Sequence, residues 1–142
     1  MLNTHLDRLE YCDKLGELSE CLSRKVGAIL VKNNKVCGIG FNRVPTKTES
    51  CQTCRRCAKQ SGEALDICKA IHAEEAAIFD FLRKHTVDEL KDCILYVSIT
   101  PCYHCAKLIA ELQIKQVFAR KQYNSNYTAS IFDEAGINLY IL

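Results

Sequence analysis

The sequence predicts an α/β fold of three layers, α-β-α, built around a mixed five-stranded sheet. Three observations carry this expectation. Amphipathic stretches alternate with short β-branched runs in the order αββαβαβαβ. The first two strands are separated only by Asn33-Asn34, a tight-turn pair that makes them an antiparallel hairpin. With 142 residues, 48% of them hydrophobic, the chain can form a single domain over 1–142 that buries a core without covalent staples.

Each element has a local reason. Leu6, Leu9, Cys12, Leu15, Leu18 and Leu22 recur at helical spacing, so the first 22 or so residues read as an amphipathic helix. Residues 26–31 and 35–41 are the hairpin strands. From Asn42 the pattern stops, and a polar, cysteine-rich loop over about 42–68 is inserted, longer than a loop with nothing to hold it usually is. A helix returns over 70–85, a strand over 93–99, and a helix over 102–112 with Pro101 at its mouth. A short strand at 116–119, a brief helix at 130–134 closed by Gly136, and a strand at 138–142 complete the order.

Composition excludes several classes. The formal net charge of +2 is too small to mark a nucleic-acid surface. No apolar run reaches the length of a membrane span, and the first residues lack the basic-then-apolar order of a signal peptide. The expectation is a cytoplasmic protein, in which ten cysteines are not a disulfide framework. Cys12, Cys37 and Cys93 fall in apolar-periodic segments and read as core residues.

Cys102 and Cys105 belong instead to a split motif, His72-Ala73-Glu74 followed by Pro101-Cys102-Tyr103-His104-Cys105. His72 and the two cysteines supply three soft donors, the number a catalytic zinc uses when it keeps one position open. Both halves sit where helices start, and the unpaired N–H groups there favour the thiolate that a metal requires. Glu74, two residues past the imidazole, can enter the same cavity without binding metal. It would take a proton from water and hand it to a ring nitrogen and then to departing ammonia. A lone His-x-Glu means little, and a lone Cys-x-x-Cys also fits a redox pair or a structural metal site. The ordered combination is the recurring signature of zinc nucleobase deaminases.

On these residues the chain resembles the cytidine and deoxycytidylate deaminase superfamily, nearest to its deoxycytidylate (dCMP) branch and the competence-operon relatives of that branch. Ser23–Lys32, Gly40-Phe41-Asn42 with Pro45, Cys68–Glu74, Leu95-Tyr96-Val97-Ser98, Cys105-Ala106-Lys107 and Glu134-Ala135-Gly136-Ile137 continue the likeness in order. The resemblance implies a cytidine-deaminase-like fold and hydrolysis of dCMP to dUMP and ammonia. It implies zinc on His72, Cys102 and Cys105, with Glu74 as acid and base. It further implies Asn42 at the substrate sugar, Tyr123 bordering the pyrimidine, and a homo-oligomer, often a hexamer. The chain departs from the branch at Arg43, where glycine is usual, in the loop 46–50, and at Ala76, where asparagine is usual. Arg43 is either a phosphate contact or a solvated loop residue.

The remaining cysteines, Cys21, Cys51, Cys54, Cys57 and Cys68, crowd the inserted loop. Cys51, Cys54 and Cys68 with either Cys57 or Cys21 would close a structural zinc site and supply folding energy to an expensive loop. Some dCMP-deaminase relatives use cysteines matching Cys21, Cys51 and Cys68 in this way; a reduced, metal-free loop is the alternative. Two rival functions are a deaminase of a base within nucleic acid, such as a tRNA adenosine, and a non-catalytic zinc scaffold. The charge balance disfavours the first, and Glu74, which has no ligand role, disfavours the second.

Overall fold

A computed structural model describes residues 2–54, 67–123 and 125–142. Its elements are α1 (His5–Gly16), β1 (Gly27–Lys32), β2 (Lys35–Phe41), α2 (Ala73–Leu82), β3 (Ile94–Ile99), α3 (Tyr103–Glu111), β4 (Gln116–Lys121), α4 (Asn126–Ala135) and β5 (Asn138–Ile141). One five-stranded sheet has the order β2-β1-β3-β4-β5. β1 is antiparallel to both β2 and β3, whereas β3, β4 and β5 run parallel. The mixed sheet and the three layers are therefore as expected.

Alternation along the strands sorts the core into two sides. On one face Ile29, Val31, Tyr96 and Phe118 meet Leu9, Cys12 and Leu15 of α1. On the other, Ala28, Leu30, Leu95, Val97, Val117 and Ala119 meet Ala77 and Phe81 of α2, Ala106 and Ile109 of α3, and Phe132 of α4. The approach of α2 is unusually close. A Cβ on Gly40 would lie 2.3 Å from the Ala77 nitrogen and 2.7 Å from the Ala73 carbonyl oxygen, so only glycine lets the helix rest on the strand backbone. That contact seats the first turn of α2 against the sheet.

Several boundaries differ from the sequence expectation, each for a spatial reason. α1 stops at Gly16, not near residue 22, because Gly16 already lies over Val26 and Gly27 at the mouth of β1. A longer helix would leave the sheet behind, and Leu18 and Leu22 are exposed despite their spacing. The helix expected over 70–85 is shorter: residues 70–72 are extended, and Ile71 pairs with Arg43 through both backbone hydrogen bonds. α4 starts four residues early, at Asn126 and not 130, because the Ser125 side chain caps it by accepting the Thr128 N–H. Gly136 ends it in the left-handed conformation, φ 69°. A 3-10 turn over Val87–Asp92 was not expected. Cys12 and Cys93 are core residues as anticipated, and Cys37 is half-buried at the irregularity in the β1–β2 pairing.

The 3-10 turn carries a pH-sensitive contact. Glu89 accepts the Thr86 backbone N–H at 2.6 Å and pairs with the Lys32 ammonium at 3.1 Å. These bonds, the backbone one first, hold its carboxyl down to about 2, against 4.5 ordinarily. A depressed folded value contributes stability that is complete above pH 4.5 and disappears as pH falls through about 2. Glu89→Gln is expected to melt below the parent at neutral pH, with the gap closing across that window. Thermal melts of both proteins down the pH range check this, and a gap that ignores pH would assign the effect to packing.

Candidate metal centre

His72 is the N-cap of α2, in extended conformation (φ −77°, ψ 157°), and Cys102 holds the same place before α3 (φ −70°, ψ 170°). Both halves of the split motif thus stand at helix starts, as the sequence required. The Glu75 carboxylate turns back to accept the His72 backbone N–H at 2.9 Å, and its other oxygen lies 3.4 Å from His104 Nε2. The Thr128 hydroxyl donates to the Pro101 carbonyl at 3.1 Å, fixing the entry to α3.

Those supports bring the donors together. The donor atoms of His72, Cys102 and Cys105 all lie within 4.8 Å of one another, with His72 Nδ1 and Cys102 Sγ 3.5 Å apart. A hydrogen bond from Cys105, and a second from His72, hold the Cys102 thiol down to about 4. The same bond and complete burial push Cys105 up, and the contact with Cys102 raises His72 above its ordinary value. His72, Cys102 and Cys105 would hold a soft divalent cation as one neutral imidazole and two thiolates, the cation replacing the thiol protons. Three donors leave a tetrahedral ion one position open.

Glu74 is 4% exposed yet is not one of the donors. Burial first, and the negative charge of Cys102 second, push its carboxyl up to about 7. A carboxyl that exchanges its proton near neutrality is suited to general acid–base work.

A cavity of about 170 Å3 opens over this floor, lined also by Asn42, Thr100, Tyr123 and Arg24. Asn42 Nδ2 donates to the Arg24 carbonyl at 2.7 Å and Oδ1 accepts the Val26 N–H at 2.9 Å. Thr100 Oγ1 accepts the Tyr123 N–H at 2.6 Å. Arg43 is not part of this lining. Its guanidinium donates to the Val44 carbonyl at 3.3 Å, and it borders a neighbouring cavity of about 440 Å3. Cys21, Cys51, Cys54 and Cys68 line that second cavity together, and Cys57 lies outside the described residues. Among the described residues no second set of three donors converges within 4.8 Å. Sequence reasoning missed Arg24 and Thr100. The signal for Arg24 was a basic pair just before a strand, which is common enough to pass unnoticed.

Residues 3–121 match the family described as the cytidine and deoxycytidylate deaminase zinc-binding region. A deoxycytidylate deaminase of Schizosaccharomyces pombe is 35% identical over 136 residues, which are 92% of this chain and 41% of that protein. The chain therefore spans about two-fifths of the length of that relative. A deoxycytidylate deaminase of Mycobacterium phage D29 is 35% identical over 113 residues, 73% of this chain and 84% of the phage protein. A solved dCMP deaminase of cyanophage S-TIM5, in complex with dCMP and dUMP, superposes with a TM-score of 0.77 at 23% identity, covering 94% of this chain and 93% of the other. That last likeness is one of fold.

Proposed function

Since the chain belongs to the cytidine and deoxycytidylate deaminase zinc-binding family, we propose that it hydrolyses the 4-amino group of dCMP, giving dUMP and ammonia. The observation that carries the reading is Glu74: a carboxyl buried beside three soft donors, outside their set, and poised near neutral pH. A zinc ion on His72, Cys102 and Cys105 supplies the Lewis acidity that makes water a nucleophile at neutral pH. Glu74 would accept one proton from the attacking water and deliver it to N3 of the pyrimidine. It would then take the remaining proton from the new C4 hydroxyl and pass it to the amine, which leaves as ammonia while C4 becomes a carbonyl. Tyr123, its backbone held by Thr100, borders the base. Asn42 keeps a second amide hydrogen for the sugar hydroxyl. Two relatives of 35% identity that are deoxycytidylate deaminases support the deoxycytidine nucleotide over other amines.

The same reading includes a second, structural zinc, supported by four cysteines around one cavity. It also includes a cytoplasmic homo-oligomer. No helix among the described residues is long and apolar enough to cross a membrane. Ile39 and Phe79 are exposed, and Asp80, the residue after Phe79, accepts the Ile39 N–H; this apolar surface would serve assembly.

The test is ammonia release from dCMP beside cytidine, deoxycytidine, dCTP and guanine, with zinc measured on the same sample. dCMP is expected to be preferred, with about two zinc equivalents per chain. Turnover of another compound and none of dCMP would keep the chemistry and refute the substrate. A single equivalent, unchanged by substitutions in the cysteine loop, would remove the second site.

A further inference from the structure

We propose that Thr100 is a positioning residue of the deamination site, setting the place of the Tyr123 ring relative to the metal seat. The inference rests on the deaminase reading, which puts Tyr123 beside the pyrimidine, and adds the side chain that holds it there. Tyr123 lies between the end of β4 at Lys121 and the start of α4 at Asn126, outside any helix or strand. No ladder or helix therefore fixes its backbone, whose polar groups still need partners. Among the described residues its backbone hydrogen bonds go to one side chain. Thr100 Oγ1 accepts the Tyr123 N–H at 2.6 Å and donates its own proton to the Tyr123 carbonyl at 3.2 Å. A single hydroxyl satisfies both groups, on a residue that is 4% exposed.

Thr100 is tied to the metal seat as well. It follows β3 directly, and its N–H donates to the Lys121 carbonyl at 2.9 Å, continuing the β3–β4 pairing. Pro101 comes next, its φ fixed by the ring, and then the ligand Cys102. The Pro101 carbonyl accepts the hydroxyl of Thr128, itself buried, at 3.1 Å. The arm from the Thr100 hydroxyl to the Cys102 thiol is therefore short, with one torsion locked and its middle carbonyl bonded. Thr100, Tyr123, Cys102, His72 and Glu74 all line the same cavity of about 170 Å3. A base lying between seat and ring needs their separation held constant, because a misplacement of about 1 Å can cost a reaction about 100-fold. A hydroxyl that only closed a loop would contribute stability alone; this one joins the two sides between which the base must lie.

Zinc-loaded parent, Thr100→Val, Thr100→Ser, Tyr123→Leu and the double variant Thr100→Val with Tyr123→Leu, compared on dCMP, test the assignment. Valine keeps the branched shape and loses only the hydroxyl, so KM is expected to rise about 10-fold with kcat and zinc content little changed. Serine retains the hydroxyl and should restore the parental KM. In the Tyr123→Leu background valine should add nothing, because the hydroxyl acts through the ring. An unchanged KM, additive losses in the double variant, or zinc lost with the hydroxyl would overturn the assignment. Two further measurements need no turnover. Hydrogen exchange of the Tyr123 amide should be at least about 10-fold faster in Thr100→Val than in the parent, and parental in Thr100→Ser. Binding of dUMP, followed by proton NMR, should weaken about 10-fold in Thr100→Val, and no further in the double variant than in Tyr123→Leu. If both results hold while dCMP is not turned over, the substrate reading fails and the positioning role stands. If dCMP is turned over and either result fails, the positioning role is refuted and the substrate reading stands. Absence of dUMP binding to the parent also refutes it. Should the valine variant not fold, Thr100→Ala takes its place with the same expectations.

Discussion

Replacing Glu74 with glutamine is expected to lower turnover by about 10²- to 10⁴-fold while zinc content stays at the parental level. Glutamine preserves shape and hydrogen bonding but cannot carry a proton between water, ring nitrogen and amine. The carboxyl is well prepared for that relay, since burial pushes it up to about 7 and its neighbour Cys102 carries negative charge. Because Glu74 is not among the three donors, removing its charge leaves the ion's own contacts in place. Steady-state kinetics and metal analysis on one preparation decide the matter. Retained zinc with lost turnover establishes a catalytic carboxyl; loss of both together would make Glu74 a metal-site residue. Full turnover with retained zinc would move the proton relay elsewhere.

Cys105→Ala is the second large effect. Its thiol is fully buried, one turn into α3 from Cys102, and it donates the hydrogen bond that stabilises the Cys102 thiolate. Without it two donors remain, fewer than any catalytic zinc site keeps. Zinc should fall by about one equivalent per chain and turnover should reach background, with circular dichroism still reporting a folded α/β protein. Cys37→Ala serves as the control, because that half-buried thiol lies on β2 away from the site. If Cys37→Ala lost zinc to the same extent, the assignment of Cys105 would fail.

Much of the site was legible because its chemistry constrains residue type. His72, Glu74, Cys102 and Cys105 stand in the order and context that zinc-assisted deamination needs, and the fold assembles the three donors among them as read. The hairpin was equally clear, since Asn33 and Asn34 take the positive φ angles, 52° and 63°, that such a turn demands. What escaped detection depended on where the sheet ends. Leu18 and Leu22 keep helical spacing, yet α1 has nothing to pack on beyond Gly16. Asn42 and Arg43 are sequence neighbours in an extended stretch, so their side chains leave on opposite sides. Asn42 lines the catalytic cavity, whereas Arg43 lines the neighbouring one.

Glu75 has the widest consequence for how the protein is used. Its carboxylate joins the His72 backbone to His104, tying together two helix starts that are far apart along the chain. Thr128 holds the approach to α3 from behind. The ligands are thus kept in register by bonds between protein groups, so an arriving ion meets a preorganised seat and little ordering entropy opposes its capture. In a cell where free zinc is scarce, such a seat favours rapid loading and reloading, because exchange of the ion does not require the chain to refold around it.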